Sequence, residues 1–301
     1  MGMVEQMYVE LPERGALAVS GPDTRTFLQG LVSNDVMRAG PDRAIHAALL
    51  TAQGRYLHDF FVIEIADSLH LDCEAARRED LLKRLKLYKL RSKVTLEDAT
   101  DRLAVAAIPG EAALAALGLG PEPGAGKAMA GGAVFVDPRL AAIGARAILP
   151  RDQLAPALGA CGLQPGDRAA YESLRLKLGL PDGSRDLEVE RSILLENGFD
   201  ELNGVDWKKG CYVGQELTAR TKYRGLIKKR LLPVLIDGPA PAPGTTVTYG
   251  EQEAGEMRSA ADGLGLALLR LEFVDKLEAE GGALAAGAAK LTPAKPDWLR
   301  L

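Results

Sequence analysis

Cysteine is scarce in this chain. Three residues, Cys73, Cys161 and Cys211, are widely spaced and odd in number, which argues against a disulfide framework and fits a reducing compartment. Histidine is as scarce: His46, His58 and His70 are all there is. Neither a four-ligand zinc set nor a complete four-cysteine cluster site can be assembled from these donors. If an iron–sulfur cluster binds, a partner or exogenous thiol must supply most of its ligands. No apolar run approaches the ~20 residues of a membrane-spanning helix. Residues 1–15 are acidic and hold no hydrophobic signal stretch, so the expected placement is cytoplasmic, with no membrane partner. A large excess of one charge is also missing. The formal charge of −4 does not fit a general nucleic-acid binder.

What is present is a globular composition, 47% hydrophobic and 26% charged over 301 residues, a length that favours two or three domains. The charge is unevenly spread. Residues 207–230 hold eight basic side chains (Lys208, Lys209, Arg220, Lys222, Arg224, Lys228, Lys229, Arg230) against one acid, Glu216, so this segment is +7 and the remainder −11. A basic patch on an acidic chain points to a small anionic ligand or one anionic partner face.

The periodicities predict a strand over 15–19 and a helix starting at Ser20-Gly21-Pro22-Asp23, with Phe27, Leu28 and Leu31 as its buried stripe. A strand over 55–65 and a partner over 69–73 form a hairpin across Asp67-Ser68. Leu57, Asp59, Phe61, Ile63 and Ile65 share one face, and a carboxylate in such a row is costly unless paired or functional. A helix follows over 76–90, with Leu81, Leu82, Leu85 and Tyr88 at helical spacing. Strands are expected over 94–97, 103–108 and 133–136, and a helix followed by a loop between the last two. The glycine-rich 124–127 is not a phosphate loop, because Pro121 and Ala128 stand where that motif needs glycine and Ser or Thr. A helix over 168–178 carries Ala170, Leu174 and Leu178 on one side and stops at Gly179. The mixed-polarity stretch 180–205 reads as a loop lining a site. Beyond it, a strand over 231–236, a Pro/Gly-rich turn over 238–244 and short strands over 245–249 and 263–271 read as a small all-β domain, with a boundary near residue 232.

Lys208-Lys209-Gly210-Cys211-Tyr212-Val213-Gly214-Gln215-Glu216 carries the chemistry. A thiol is a nucleophile or ligand only as the thiolate. Two lysines favour the anion, a helix starting near Val213 would do the same, and glycines on either side clear the approach. Cys211 is therefore the reactive cysteine, whereas Cys73 and Cys161 read as small buried hydrophobes. The basic run 218–230 is either a solvated helix face or a phosphate patch. Tyr212 and Tyr223 could stack on a planar ring.

The run K-G-C-Y-V-G-Q-E resembles the signature of the YgfZ-type folate-binding proteins, relatives of the glycine-cleavage T-protein (aminomethyltransferase) that serve iron–sulfur cluster assembly. The likeness extends to V-S-G-P-D-x-x-x-F-L-Q-G-L-V-S-N-D-V (19–36), to Gln53-Gly54-Arg55 with Asp59, to Arg91-Ser92-Lys93-Val94, to 171–181 and to 203–230. The resemblance implies an α+β fold. Two mixed α/β units over 1–232 would surround a central folate pocket, followed by a small C-terminal β-barrel over 233–301. It implies tetrahydrofolate as ligand, with Lys208, Lys209, Gly210, Tyr212, Gly214, Gln215, Glu196 and Arg224 as the folate-facing set. Glu196 and Asn197 stand where a pterin-recognising loop is expected. Cys211 matches the motif cysteine, and Asp59 resembles the catalytic aspartate of the T-protein. The T-protein has two adjacent acids where this chain has His58-Asp59, and it lacks the K-G-C-Y-V-G-Q-E run.

The function this implies is a monomeric tetrahydrofolate-binding accessory factor for assembly or repair of [4Fe–4S] proteins, acting through Cys211 with cluster assembly and client proteins as partners. The alternatives are a folate-dependent aminomethyltransferase or demethylase using Asp59, and a non-catalytic folate sensor or tRNA-binding module using the basic run.

Overall fold

Runs of alternating or wholly apolar residues make three sheets. In the computed structural model, which describes residues 6–225 and 227–300, one sheet has five strands in the order Ile45–Leu50, Tyr56–Ile65, Ser68–Glu74, Arg14–Ser20, Thr95–Asp98. A second has six, in the order Gln164–Pro165, Met7–Glu10, Leu103–Pro109, Gly144–Pro150, Gly132–Val136, Gly126–Met129. The third closes into a six-stranded barrel of Lys229–Asp237, Leu264–Arg270, Gln252–Ala261, Thr246–Tyr249, Leu284–Ala286 and Ala289–Pro293. Met7–Glu10 pairs in parallel with Gln164–Pro165 and antiparallel with Leu103–Pro109, and the barrel pairings are antiparallel. The class is therefore α+β, mixed units plus a small C-terminal barrel.

The chain divides into two interleaved compact units: Met1–Leu50, His58–Tyr171 and Leu202–Val213 in the first, and Thr51–Leu57, Glu172–Glu201 and Gly214–Leu301 in the second. The boundary expected near residue 232 falls inside barrel strand Lys229–Asp237. The change of texture there reflects inward-facing Leu232, Val234 and Ile236, which join the barrel core. The barrel segment is also not all β. Helix Leu271–Glu280 buries Phe273 and Val274 in that same core.

Three other expectations change. Strand Tyr56–Ile65 is buried on both faces rather than one, with Tyr56, Phe60 and Val62 as enclosed as Phe61 and Ile63. The expected loop before residue 133 contains strand Gly126–Met129, turned back by Ala130 and Gly131, both at left-handed φ (45° and 81°). That is the backbone of a tight two-residue hairpin, carrying alanine where Asn or Asp would have signalled it. Helix Arg168–Lys177 buries Tyr171, Arg175 and Leu176 instead of Ala170, Leu174 and Leu178. Arg175 can be buried because its guanidinium is fully paired. It donates to Asp186 Oδ2 and Leu180 O, both at 2.7 Å, and to Glu172 Oε1 at 2.6 Å.

The first unit also buries charge. Asp72 accepts from Arg14 Nε at 2.6 Å and Arg146 Nε at 2.8 Å, joining one strand of the five-stranded sheet to its neighbour and to a strand of the six-stranded sheet. Asp137 accepts from Arg139 Nη2 at 2.8 Å. Burial alone would raise the Asp137 carboxyl, but the Arg139 and Arg146 guanidiniums hold it below the usual range. The Arg146 and Arg139 guanidiniums lie 4.3 and 5.0 Å from the Phe61 ring centroid.

His58 is buried at 2.9 Å from Asp80 Oδ2. Burial, aided by Arg77, lowers its pKa from 6.5 to about 4, against the pull of Asp80. The folded state therefore binds fewer protons than the unfolded chain between these values. Stability is full above pH 6.5 and is lost as the pH falls towards 4, by about 3 kcal/mol for this group. Denaturant titrations across that window should show His58→Asn removing much of the acid slope. An unchanged slope would assign it elsewhere.

Candidate functional site

The motif cysteine sits on a loop, 206–213, that is held at both ends by one turn of the first unit. Helix Thr24–Gln29 ends at Gly30 and leaves open carbonyls behind it. The Lys209 ammonium fills that gap, donating to Gln29 O at 2.8 Å, Val32 O at 2.5 Å and Asn34 O at 2.9 Å. At the near end Asp206 N donates to Ser33 O at 3.1 Å, and at the far end Val213 N donates to Gly30 O at 3.1 Å. Asp206 Oδ1 in turn accepts from the amides of Lys208 and Lys209 at 2.7 and 2.9 Å. Ser33 Oγ donates to Gly204 O at 2.6 Å, and Asn34 Nδ2 to Asn203 O at 2.7 Å. Between these anchors Gly210 and Cys211 are exposed.

This geometry assigns the motif residues different work. Lys209 is a clasp. Burial brings its pKa down to about 8 against the charges of Asp35 and Asp206, so near neutral pH it keeps its proton and its three donors. Its Nζ also lies 5.0 Å from the centroid of the half-buried Tyr212 ring. Lys208 is exposed, and its ammonium has no ion-pair partner among the described residues. A side chain at Gly210 would meet open space, so glycine is not needed there to clear an approach. The helix expected near Val213 begins at Gln215, behind Gly214 in the left-handed conformation (φ 79°), so Cys211 lies outside its first turn. Cys73 is buried, and burial pushes its thiol up to about 12. Cys161 is only partly buried.

Asp59, in strand Tyr56–Ile65, is 6% exposed and its Oδ2 lies 3.2 Å from His46 Nε2. The His46 ring stacks at 5.2 Å on Phe61, the ring beneath the guanidiniums of the ionic core. His46 also borders a cavity of about 370 Å³ with Asn34, Arg38, Arg43, Glu122 and Asn203. The carboxylate in the apolar row is thus paired, and its partner was not among the sequence candidates.

The remaining candidates belong to the second unit. Glu196 lines a cavity of about 300 Å³ with Arg55, Arg191, Lys229, Glu253 and Arg258 among others. Other acids of that wall are paired: Glu253 with Arg270, and Glu188 and Glu256 with Arg258. Glu196 has no hydrogen bond or ion pair among the described residues. Burial raises its carboxyl, although Lys229, Arg55 and Arg230 pull the other way. Asn197 is buried and donates to Ile193 O at 2.9 Å, a structural bond. Within the basic run, Lys222 pairs with Asp200 at 3.1 Å and Arg230 with Glu201 at 2.6 Å, whereas Arg220, Arg224 and Lys228 are exposed. Gln215 opens helix Gln215–Tyr223.

Residues 8–118 match the GCVT N-terminal domain and residues 228–301 the CAF17 C-terminal beta-barrel domain. The fold is that of the glycine cleavage system aminomethyltransferase T from Bartonella henselae, with a TM-score of 0.76 over 98% of this chain and 86% of that one, at 16% identity. The sequence goes further. Iron-sulfur cluster assembly factor IBA57, mitochondrial, from Mus musculus and from Homo sapiens are each 36% identical over 311 residues, covering 96% of this chain and 84% of the relative. The Neurospora crassa homolog is 34% identical over 77% of this chain and 54% of its own length. The chain belongs to the IBA57 family of iron–sulfur cluster assembly factors. These relatives also overturn the expected cytoplasmic placement. All three are designated mitochondrial, which points to that compartment instead.

The clasp is testable on its own. Lys209→Met should leave three carbonyls unpaired, lower stability by about 2 kcal/mol and speed amide exchange at Val213 and Asp206. Unchanged protection at both amides would show that the loop is held by something other than this ammonium.

Proposed function

We propose that this protein is an accessory factor in the assembly or repair of [4Fe–4S] proteins, working through the Cys211 thiolate with tetrahydrofolate as its small-molecule ligand. The observation that carries the reading is the exposed Cys211 on a loop fixed at both ends. A fixed loop presents the sulfur at little entropic cost, while exposure leaves it free to meet a cluster carried by another protein. The cluster is cargo here. One thiolate cannot hold it, so the assembly or client partner supplies the other ligands. Membership of the IBA57 family and the K-G-C-Y-V-G-Q-E run of the YgfZ-type proteins support the same role.

Folate enters through Glu196. An unpaired carboxyl on a cavity wall suits the N–H edge of a pterin, which offers two donors to one carboxylate. Lys209 leaves the folate-facing set, because its donors are already used. The aminomethyltransferase reading is the weaker one. Asp59 is enclosed and already engaged by His46, and likeness to the T-protein at 16% identity speaks for the fold alone.

The test is gene deletion in the source organism, restored with wild type, Cys211→Ala or Glu196→Gln, with assay of a [4Fe–4S] enzyme beside glycine cleavage. Wild type should rescue the cluster enzyme, Cys211→Ala should not, and glycine cleavage should be unaffected throughout. Purified Glu196→Gln should bind tetrahydrofolate roughly ten- to a hundredfold more weakly. Full rescue by Cys211→Ala would end the thiolate reading. Unchanged folate affinity in Glu196→Gln would remove the ligand from that cavity.

A further inference from the structure

Away from the thiol, the chain carries a second unusual surface. Residues 83–93 read K-R-L-K-L-Y-K-L-R-S-K, with six basic residues and no acid, in a protein whose net charge is −4. They form the end of helix Arg78–Lys89 and the turn after it. The helix faces its core with Leu81 and Leu85, both fully buried, but holds Leu87 and Tyr88 out at 69% and 43% exposure, and Leu90, just past its end, stands out at 88%. Leu90 stands at φ 43° and ψ −111°, a backbone region that favours glycine. A leucine kept in a strained conformation with its side chain in water is a cost without a folding benefit.

Five of the six cations around these leucines have no ion pair among the described residues. The sixth, Arg84, pairs with Asp80 at 2.7 Å. Of the five, Lys83, Lys86, Arg91 and Lys93 are exposed and Lys89 is half-buried. The acids of neighbouring segments are occupied. Asp98 pairs with Arg78 and Glu97 with Arg102. Asp23, which shares a shallow depression with Leu90, accepts from the Lys93 amide at 2.6 Å. Glu79 lies in the first turn of the helix, two turns before Leu87.

We propose that this tip is a peripheral docking surface for an anionic lipid bilayer. These five cations match a negatively charged membrane surface. The leucines and tyrosine supply the apolar and interfacial side chains that enter between headgroups. A leucine 88% exposed stands clear of its neighbours, which suits a deformable bilayer better than a rigid protein socket. Nucleic-acid phosphates would use the lysines and leave the leucines in water. No helix among the described residues is long and apolar enough to cross a membrane, so the attachment is to the surface. The proposal is independent of Cys211 and of folate.

The test is co-sedimentation of the full chain with phosphatidylcholine vesicles, with and without phosphatidylserine, at low and high salt. Binding should need the anionic lipid and weaken with salt. Leu87→Ser with Leu90→Ser should lower partitioning about tenfold, and Lys86→Glu with Lys89→Glu at least about twenty-fivefold. Thermal melting should be unchanged in the leucine variant, whose altered side chains are already in water. No binding at low salt would overturn the proposal. So would binding indifferent to the leucines, or tighter binding to mixed-sequence RNA than to vesicles.

Discussion

The Lys209 ammonium holds the loop that carries Cys211, the thiol on which the proposed function rests. A helix of six residues cannot satisfy its own terminal carbonyls, and the turn that follows it leaves more of them open. A single cation with three donors, reaching back from a loop about 180 residues away in sequence, closes that gap. The loop's position follows from this, because the same turn also receives the amides of Asp206 and Val213. What stays unsupported is the apex, and the apex carries the thiol. A lysine beside a reactive cysteine suggests electrostatic activation at first sight. Here the nearer lysine builds the platform, and Lys208 is left as the exposed charge.

A second arrangement of buried charge stands behind the first unit's candidate carboxylate. Asp72 and Asp137 share three arginines, whose guanidiniums crowd the Phe61 ring. His46 packs on that ring and reaches Asp59. Removing one member would leave an uncompensated buried charge, a loss of about 3–5 kcal/mol, so the network fixes its residues in place more than it adds net stability. Asp59 inherits that rigidity. It sits among fixed neighbours with little access, unlike the thiol, which is mounted on a fixed base with open access.

Much of this was legible in the sequence. The strand over 55–65 came from period-two alternation and the β-rich C-terminal part from its short segments and turns, while the closed barrel came only from the family resemblance. Cys211 came from its setting between lysines and glycines. What escaped was set by tertiary partners. The Ala130-Gly131 hairpin carries an alanine where the usual turn residue would stand. Arg175 replaces leucine on the buried face of its helix because Asp186 and Glu172 neutralise it, and no helical period could show that. Ser33, Asn34 and Asp206 lay within recognised motifs, but their role depends on contacts some 170 residues away in sequence. Glu196 was named for its place in the chain. Its isolation among paired acids is visible only once the cavity wall is assembled.

The account rests on Cys211 being more accessible than the partly buried Cys161 and the buried Cys73, and thiol reactivity reads this directly. The native protein would be mixed with an aromatic disulfide and the release of thiolate followed in time, with Cys211→Ala assigning the phases. One fast phase should vanish in that variant, Cys161 should react more slowly, and Cys73 should react only on unfolding. A Cys211 that reacts no faster than Cys161 in the folded protein would contradict the account.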